Sequence, residues 1–127
     1  MKLGYVIIYV ADVAATVDFY SKAFNLKLRF AHESGMYSEM ETGETVLSFA
    51  NEDYTPSKGE FSPNRANKKS AGAELAFLTH DVEKQFKHAV NSGALAVMQP
   101  TVKPWGQTVA YVKDLNGFLI ELCTPMA

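Results

Sequence analysis

The stretch Tyr5-Val6-Ile7-Ile8-Tyr9-Val10-Ala11-Asp12-Val13 decides the fold. Residues 5 to 11 are rich in Val, Ile and Tyr, so they read as a buried strand. Asp12 is placed as a helix N-cap, its carboxylate accepting from the free N–H groups of the first turn. Val13, Val17, Tyr20 and Phe24 recur at helical spacing. Leu26, Leu28 and Phe30 alternate with Lys27 and Arg29, the pattern of a half-buried strand. Ser34-Gly35 and Thr42-Gly43 mark turns that set off a third strand over 36–41 and a fourth over 45–50.

The chain then repeats this order. Glu74 to Thr79 reads as a strand, and Asp81 is again an N-cap. Val82, Phe86, Ala89 and Val90 follow at helical spacing, with Asn91-Ser92-Gly93 as the C-terminal stop. Leu95 to Val102 reads as a strand halted near Pro100, Gln107 to Val112 as another, and Phe118 to Cys123 as the last, after the turn Asp114-Leu115-Asn116-Gly117. The expected fold class is α+β, two paired βαβββ modules forming a U-shaped mixed sheet around a groove. The modules cover roughly 1–52 and 72–127 of a single domain 1–127. Between them the Pro- and Lys-containing stretch 53–71 reads as a linker or mobile loop.

Composition agrees with a packed chain. Of 127 residues 47% are hydrophobic and 20% charged, which excludes a disordered polymer. The single cysteine, Cys123, excludes an internal disulfide framework and a cysteine zinc cluster. A net charge of -2 excludes the basic excess of a nucleic-acid binder. No apolar run approaches the roughly 20 residues of a membrane helix, and no signal peptide is read, so the expected location is cytoplasmic.

Two groups of residues carry a family resemblance. Val10-Ala11-Asp12-Val13 with Asp18-Phe19-Tyr20 resembles the opening of the glyoxalase, bleomycin-resistance and extradiol-dioxygenase superfamily, the vicinal oxygen chelate proteins. Trp105-Gly106-Gln107, Tyr111-Val112 and Asp114-Leu115-Asn116-Gly117-Phe118-Leu119-Ile120-Glu121-Leu122 resemble its closing signature, with Leu115 where the family usually has proline. The resemblance implies paired βαβββ modules and, in the enzymes of the family, a divalent metal held by two histidines and two glutamates. Those positions fall on Tyr5, Ser48, Glu74 and Glu121. Only Glu121 keeps the usual residue, and Glu74 keeps a ligand type. Transition-metal sites want imidazole or thiolate donors, so no metal cofactor is expected.

With Glu121 placed in the groove by the resemblance, strand alternation points Leu119 and Cys123 the same way. The same parity turns Tyr5, Ile7 and Tyr9, Val46, Ser48 and Ala50, and Glu74, Ala76 and Leu78 inward. Phe118, Ile120 and Leu122 then pack under the helix. The expected ligand-binding groove comprises Tyr5, Ile7, Ser48, Glu74, Trp105, Tyr111, Glu121 and His32. His32 is the one histidine in register with the groove strands, while His80 and His88 read as surface residues. Tyr37 is an aromatic candidate of the same kind as Trp105 and Tyr111.

The expected function is metal-independent binding of a small cationic or aromatic molecule by a chain that pairs as a homodimer and takes no nucleic-acid or membrane partner. The alternative is a metal-dependent lyase, isomerase or dioxygenase of the glyoxalase type, its divalent ion held by Glu74, Glu121 and a further donor such as His32.

Overall fold

The computed structural model describes residues 1–126. The chain divides into two compact units, Met1–Asn64 and Arg65–Ala127.

The first unit runs β1 (Tyr5–Val10), α1 (Val13–Phe24), β2 (Lys27–Ala31), β3 (Tyr37–Glu41) and β4 (Val46–Asn51). Its sheet has the order β1-β4-β3-β2, with β1 parallel to β4 and the other pairs antiparallel. Asp12 caps α1 as expected, its carboxylate accepting from the Ala15 N–H at 3.0 Å. Asn25 closes the helix in the left-handed conformation (φ 56°), which asparagine tolerates better than most residues. Ile8, Val10, Val13, Phe19, Tyr20, Met40, Leu47 and Phe49 are buried between helix and sheet. Tyr20 and Phe49 pack ring to ring at 4.7 Å.

The expected half-burial of β2 does not hold. All five of its residues are exposed, Leu28 and Phe30 included. β2 is an edge strand, α1 lies chiefly over β3 and β4, and a bulge between Leu28 and Phe30 breaks the alternation.

The second unit has the same plan: β5 (Glu74–Leu78), α2 (Val82–Asn91), β6 (Leu95–Val102), β7 (Thr108–Lys113) and β8 (Leu119–Cys123), in the order β5-β8-β7-β6 with β5 parallel to β8. Asp81 caps α2 through the Lys84 N–H at 3.1 Å. Phe86, Ala89, Ala110, Val112, Phe118, Ile120 and Leu122 form the core. β6 has the expected bounds, Leu95 to Val102, and Pro100 does not halt it short of them. It continues to Val102 because Pro100 falls within a register irregularity of an edge strand, where a missing N–H removes no ladder bond.

The Asp114–Gly117 turn is built on a buried carboxylate. Asp114 Oδ1 accepts from the N–H groups of Asn116 (2.8 Å) and Phe118 (2.9 Å). Gly117 has φ +83°, and a Cβ there would run into the Arg65 backbone. No helix among the described residues is long and apolar enough to cross a membrane.

Candidate functional site

In the first unit the register Ile7↔Ser48, Tyr9↔Ala50, Tyr37↔Ala50 and Glu39↔Ser48 brings these residues to one face of the sheet, since their neighbours Ile8, Val10, Phe49 and Met40 pack in the core. Ser48 is fully buried there. Tyr37 donates its phenolic hydrogen to Glu39 Oε2 at 2.8 Å. The Tyr37 oxygen also lies 2.9 Å from Ser48 Oγ, and with its own hydrogen committed it accepts from that hydroxyl. Arg29 closes the chain on Glu39 at 3.2 Å and on Glu41 at 3.3 Å. Burial pushes the Tyr37 phenol up; the Ser48 bond opposes that shift and the Glu39 carboxylate adds to it.

Beside this network lies an open cavity of about 390 Å³, within the range of small-molecule sites. Ile7, Tyr9, Tyr37 and Ala50 come from the sheet, and His32, Ser34 and Met36 from the β2–β3 turn. Tyr54, Thr55 and Pro56 of the following loop complete it. That loop, read from sequence as linker, is tied to β1. Ser57 donates to the Tyr9 hydroxyl at 2.5 Å, Asn64 donates to the Tyr9 carbonyl at 3.1 Å, and Phe61 stacks on the Tyr9 ring at 4.2 Å.

In the second unit Tyr111 stands opposite Glu121 and donates to its Oε1 at 2.6 Å. That bond, burial and the carboxylate charge hold the Tyr111 phenol well above its usual range. Burial, then the charge of Glu121, raises the Glu74 carboxyl, against a Tyr111 contact that lowers it. Cys123 is buried, and its thiol is pushed up to about 11, by burial first and then by Glu121. Trp105 is largely exposed; its indole N–H donates to Gln107 Oε1 at 2.9 Å, and Gln107 Nε2 donates to the Thr124 carbonyl at 2.8 Å.

Ile7 and His32 therefore line the cavity, Ser48 supports it through Tyr37, and Tyr5 is exposed at the start of β1, outside the cavity lining. Glu74, Tyr111 and Glu121 form a polar group within the second unit, with Trp105 in the turn before β7. The cavity residues Tyr54, Thr55 and Pro56 escaped sequence reasoning because an irregular loop has no period to place them. Glu39 was legible in principle, since it alternates with the buried Met40 and Ser38.

The repeated βαβββ order, the two N-caps and the Asp114–Gly117 turn coincide in one chain. The model of the Glyoxalase/Bleomycin resistance protein/Dioxygenase superfamily matches residues 2–122. The chain belongs to that superfamily.

Among solved structures, a glyoxalase-related enzyme from Fulvimarina pelagi superposes with a TM-score of 0.83 at 17% identity, covering 98% of this chain and 88% of that one. A glyoxalase/bleomycin resistance protein/dioxygenase family enzyme from Burkholderia phytofirmans PsJN gives 0.80 at 19%, covering 98% of both. TioX from Micromonospora sp. ML1 gives 0.74 at 22%, also covering 98% of both. These likenesses are of fold. No curated protein matches the chain.

The donors at the superfamily's metal positions do not fit a transition metal. Ser48 is a buried hydroxyl committed to Tyr37, Tyr5 is a phenol, and Glu121 already accepts from Tyr111. Among the described residues no three His, Cys, Asp or Glu side chains are grouped to hold an ion.

Proposed function

We propose that this superfamily member is a metal-independent binding protein for a small, flat aromatic molecule, cationic ones included, held in the cavity of the first unit. One observation carries the reading: the cavity is walled by Tyr9, Tyr37 and Tyr54 with Ile7, Met36 and Ala50, and no Lys, Arg, Asp or Glu lines it. Tyrosine rings offer stacking surface to a planar ligand and their faces attract a cation, while the aliphatic walls reward removing apolar area from water. The network behind Tyr37 fixes that ring, so less side-chain freedom is lost when a ligand arrives.

Calorimetric titration with 2-naphthol and its saturated counterpart decahydro-2-naphthol tests the reading. The aromatic compound is expected to bind at least about tenfold tighter, and Ile7→Trp, which fills the cavity, to abolish binding. Chelator-treated protein is expected to bind with unchanged affinity. Equal binding of the saturated compound, or binding that requires added divalent metal, overturns the proposal.

A further inference from the structure

The cavity's polar groups are set in one sense. His32 Nδ1 faces the β2–β3 turn, where it accepts from the Ser34 backbone N–H at 3.1 Å and lies 2.8 Å from Ser34 Oγ. A backbone N–H is only a donor, so Nδ1 must carry the lone pair and the hydrogen of the neutral ring sits on Nε2. Nε2 is therefore the donor of the ring, and no described residue accepts from it. The Tyr9 hydroxyl is constrained in the same way. Its oxygen accepts from Ser57 at 2.5 Å, with the Thr55 hydroxyl beside it, so its own hydrogen is what it has left to give. Tyr37 is different, because its hydrogen is already given to Glu39 and its oxygen already accepts from buried Ser48. Of the two phenols lining the sheet side of the cavity, one is left as a donor and the other offers only its ring.

Resting on the proposed aromatic-binding role, we infer that Tyr9 Oη–H and His32 Nε2–H form a donor pair that selects aromatic ligands bearing an exposed acceptor oxygen, such as a carbonyl, phenolate or N-oxide. Both residues line the same cavity, whose remaining lining is apolar or aromatic apart from Ser34 and Thr55. Donors on residues lining such surroundings favour an acceptor and disfavour a ligand that leaves them unpaired. The hydroxyls of Ser57 and Thr55 also lower the Tyr9 pKa, which makes its phenol a stronger donor.

The test compares quinoline N-oxide with N-methylquinolinium, which share a bicyclic skeleton but differ in bearing an acceptor oxygen or a methyl group. Calorimetry on the full chain is expected to show the N-oxide binding about tenfold tighter. Tyr9→Phe and His32→Phe are each expected to weaken the N-oxide about tenfold and to leave N-methylquinolinium within about twofold. His32→Gln, which keeps an N–H donor and does not depend on His32→Phe folding well, is expected to recover part of the loss. If N-methylquinolinium binds as tightly as the N-oxide, or the variants weaken both equally, the donor pair is overturned while the aromatic cavity stands. If neither compound binds and 2-naphthol also fails, the cavity itself is overturned.

Discussion

Tyr111 and Glu121 face each other across the β7–β8 ladder, the phenol donating to Glu121 Oε1 over 2.6 Å. In the first unit the corresponding register pair is Glu39 and Ser48, so carboxylate and hydroxyl have exchanged strands between the two units. The exchange leaves the first unit with one carboxylate on that face, Glu39, paired with Arg29, and the second with two, Glu74 and Glu121. Removing the phenolic hydroxyl in Tyr111→Phe takes away a donor that stabilises the ionised forms. The pKa of Glu74 is therefore expected to rise, read from side-chain carboxyl carbon shifts in an NMR titration; an unchanged titration would contradict the assigned contact.

The raised Glu74 pKa has a defined consequence for stability. A carboxyl whose folded-state pKa lies above its unfolded value contributes stability below the unfolded pKa, and that contribution is lost as pH rises through the folded pKa. Glu74→Gln is thus expected to raise the melting temperature at pH 7 and to have little effect at pH 4. Thermal melts at the two pH values check this, and a larger gain at pH 4 would reverse the assigned sign.

Cys123 is buried, with its thiol pushed up to about 11. Thiolate is the reactive form, so iodoacetamide at pH 8 is expected to label the native protein only at the rate of global opening and the denatured protein readily. Rapid labelling of native protein, followed by mass spectrometry, would show the thiol to be accessible.

Gly117 and Gly35 both have positive φ, +83° and +76°, but only Gly117 faces backbone where a Cβ would go. Gly35→Ala is expected to cost about 1 kcal/mol, the left-handed penalty alone. Gly117→Ala is expected to cost about 2–4 kcal/mol, since the Arg65 segment must also shift. Urea denaturation of the two variants separates these outcomes, and equal costs would contradict the close approach.

Ser48→Ala removes a fully buried donor from Tyr37. The expected loss is about 1 kcal/mol of stability, together with weaker binding in the cavity, because the Tyr37 ring is then held by Glu39 alone. Denaturant midpoints and 2-naphthol calorimetry on the same variant measure both effects. A stability loss with unchanged affinity would assign Ser48 to the fold only.

Much of the architecture was legible because it rests on local physics. The N-caps Asp12 and Asp81 announce their helices, and the buried face of β8 follows from the alternation of Phe118, Ile120 and Leu122. The exposure of β2 was not legible, since nothing in Lys27–Ala31 tells that the strand lies at an edge, where α1 covers it least. The extent of β6, Leu95 to Val102, was legible, but the register irregularity that accommodates Pro100 was not.

For the candidate site, the sequence by itself determined which chemistry is present: superfamily motifs with hydroxyls at two metal-ligand positions, carboxylates at the other two, and His32 in register with the groove strands. Only the tertiary structure decided how those groups are spent. The commitment of Tyr37 to Glu39 and Ser48, the turn-facing Nδ1 of His32, and the loop of Ser57 and Phe61 folded onto Tyr9 each join residues through space. A hydrogen bond depends on distance and direction in three dimensions, and strand period sets neither for residues brought together by register or by an irregular loop.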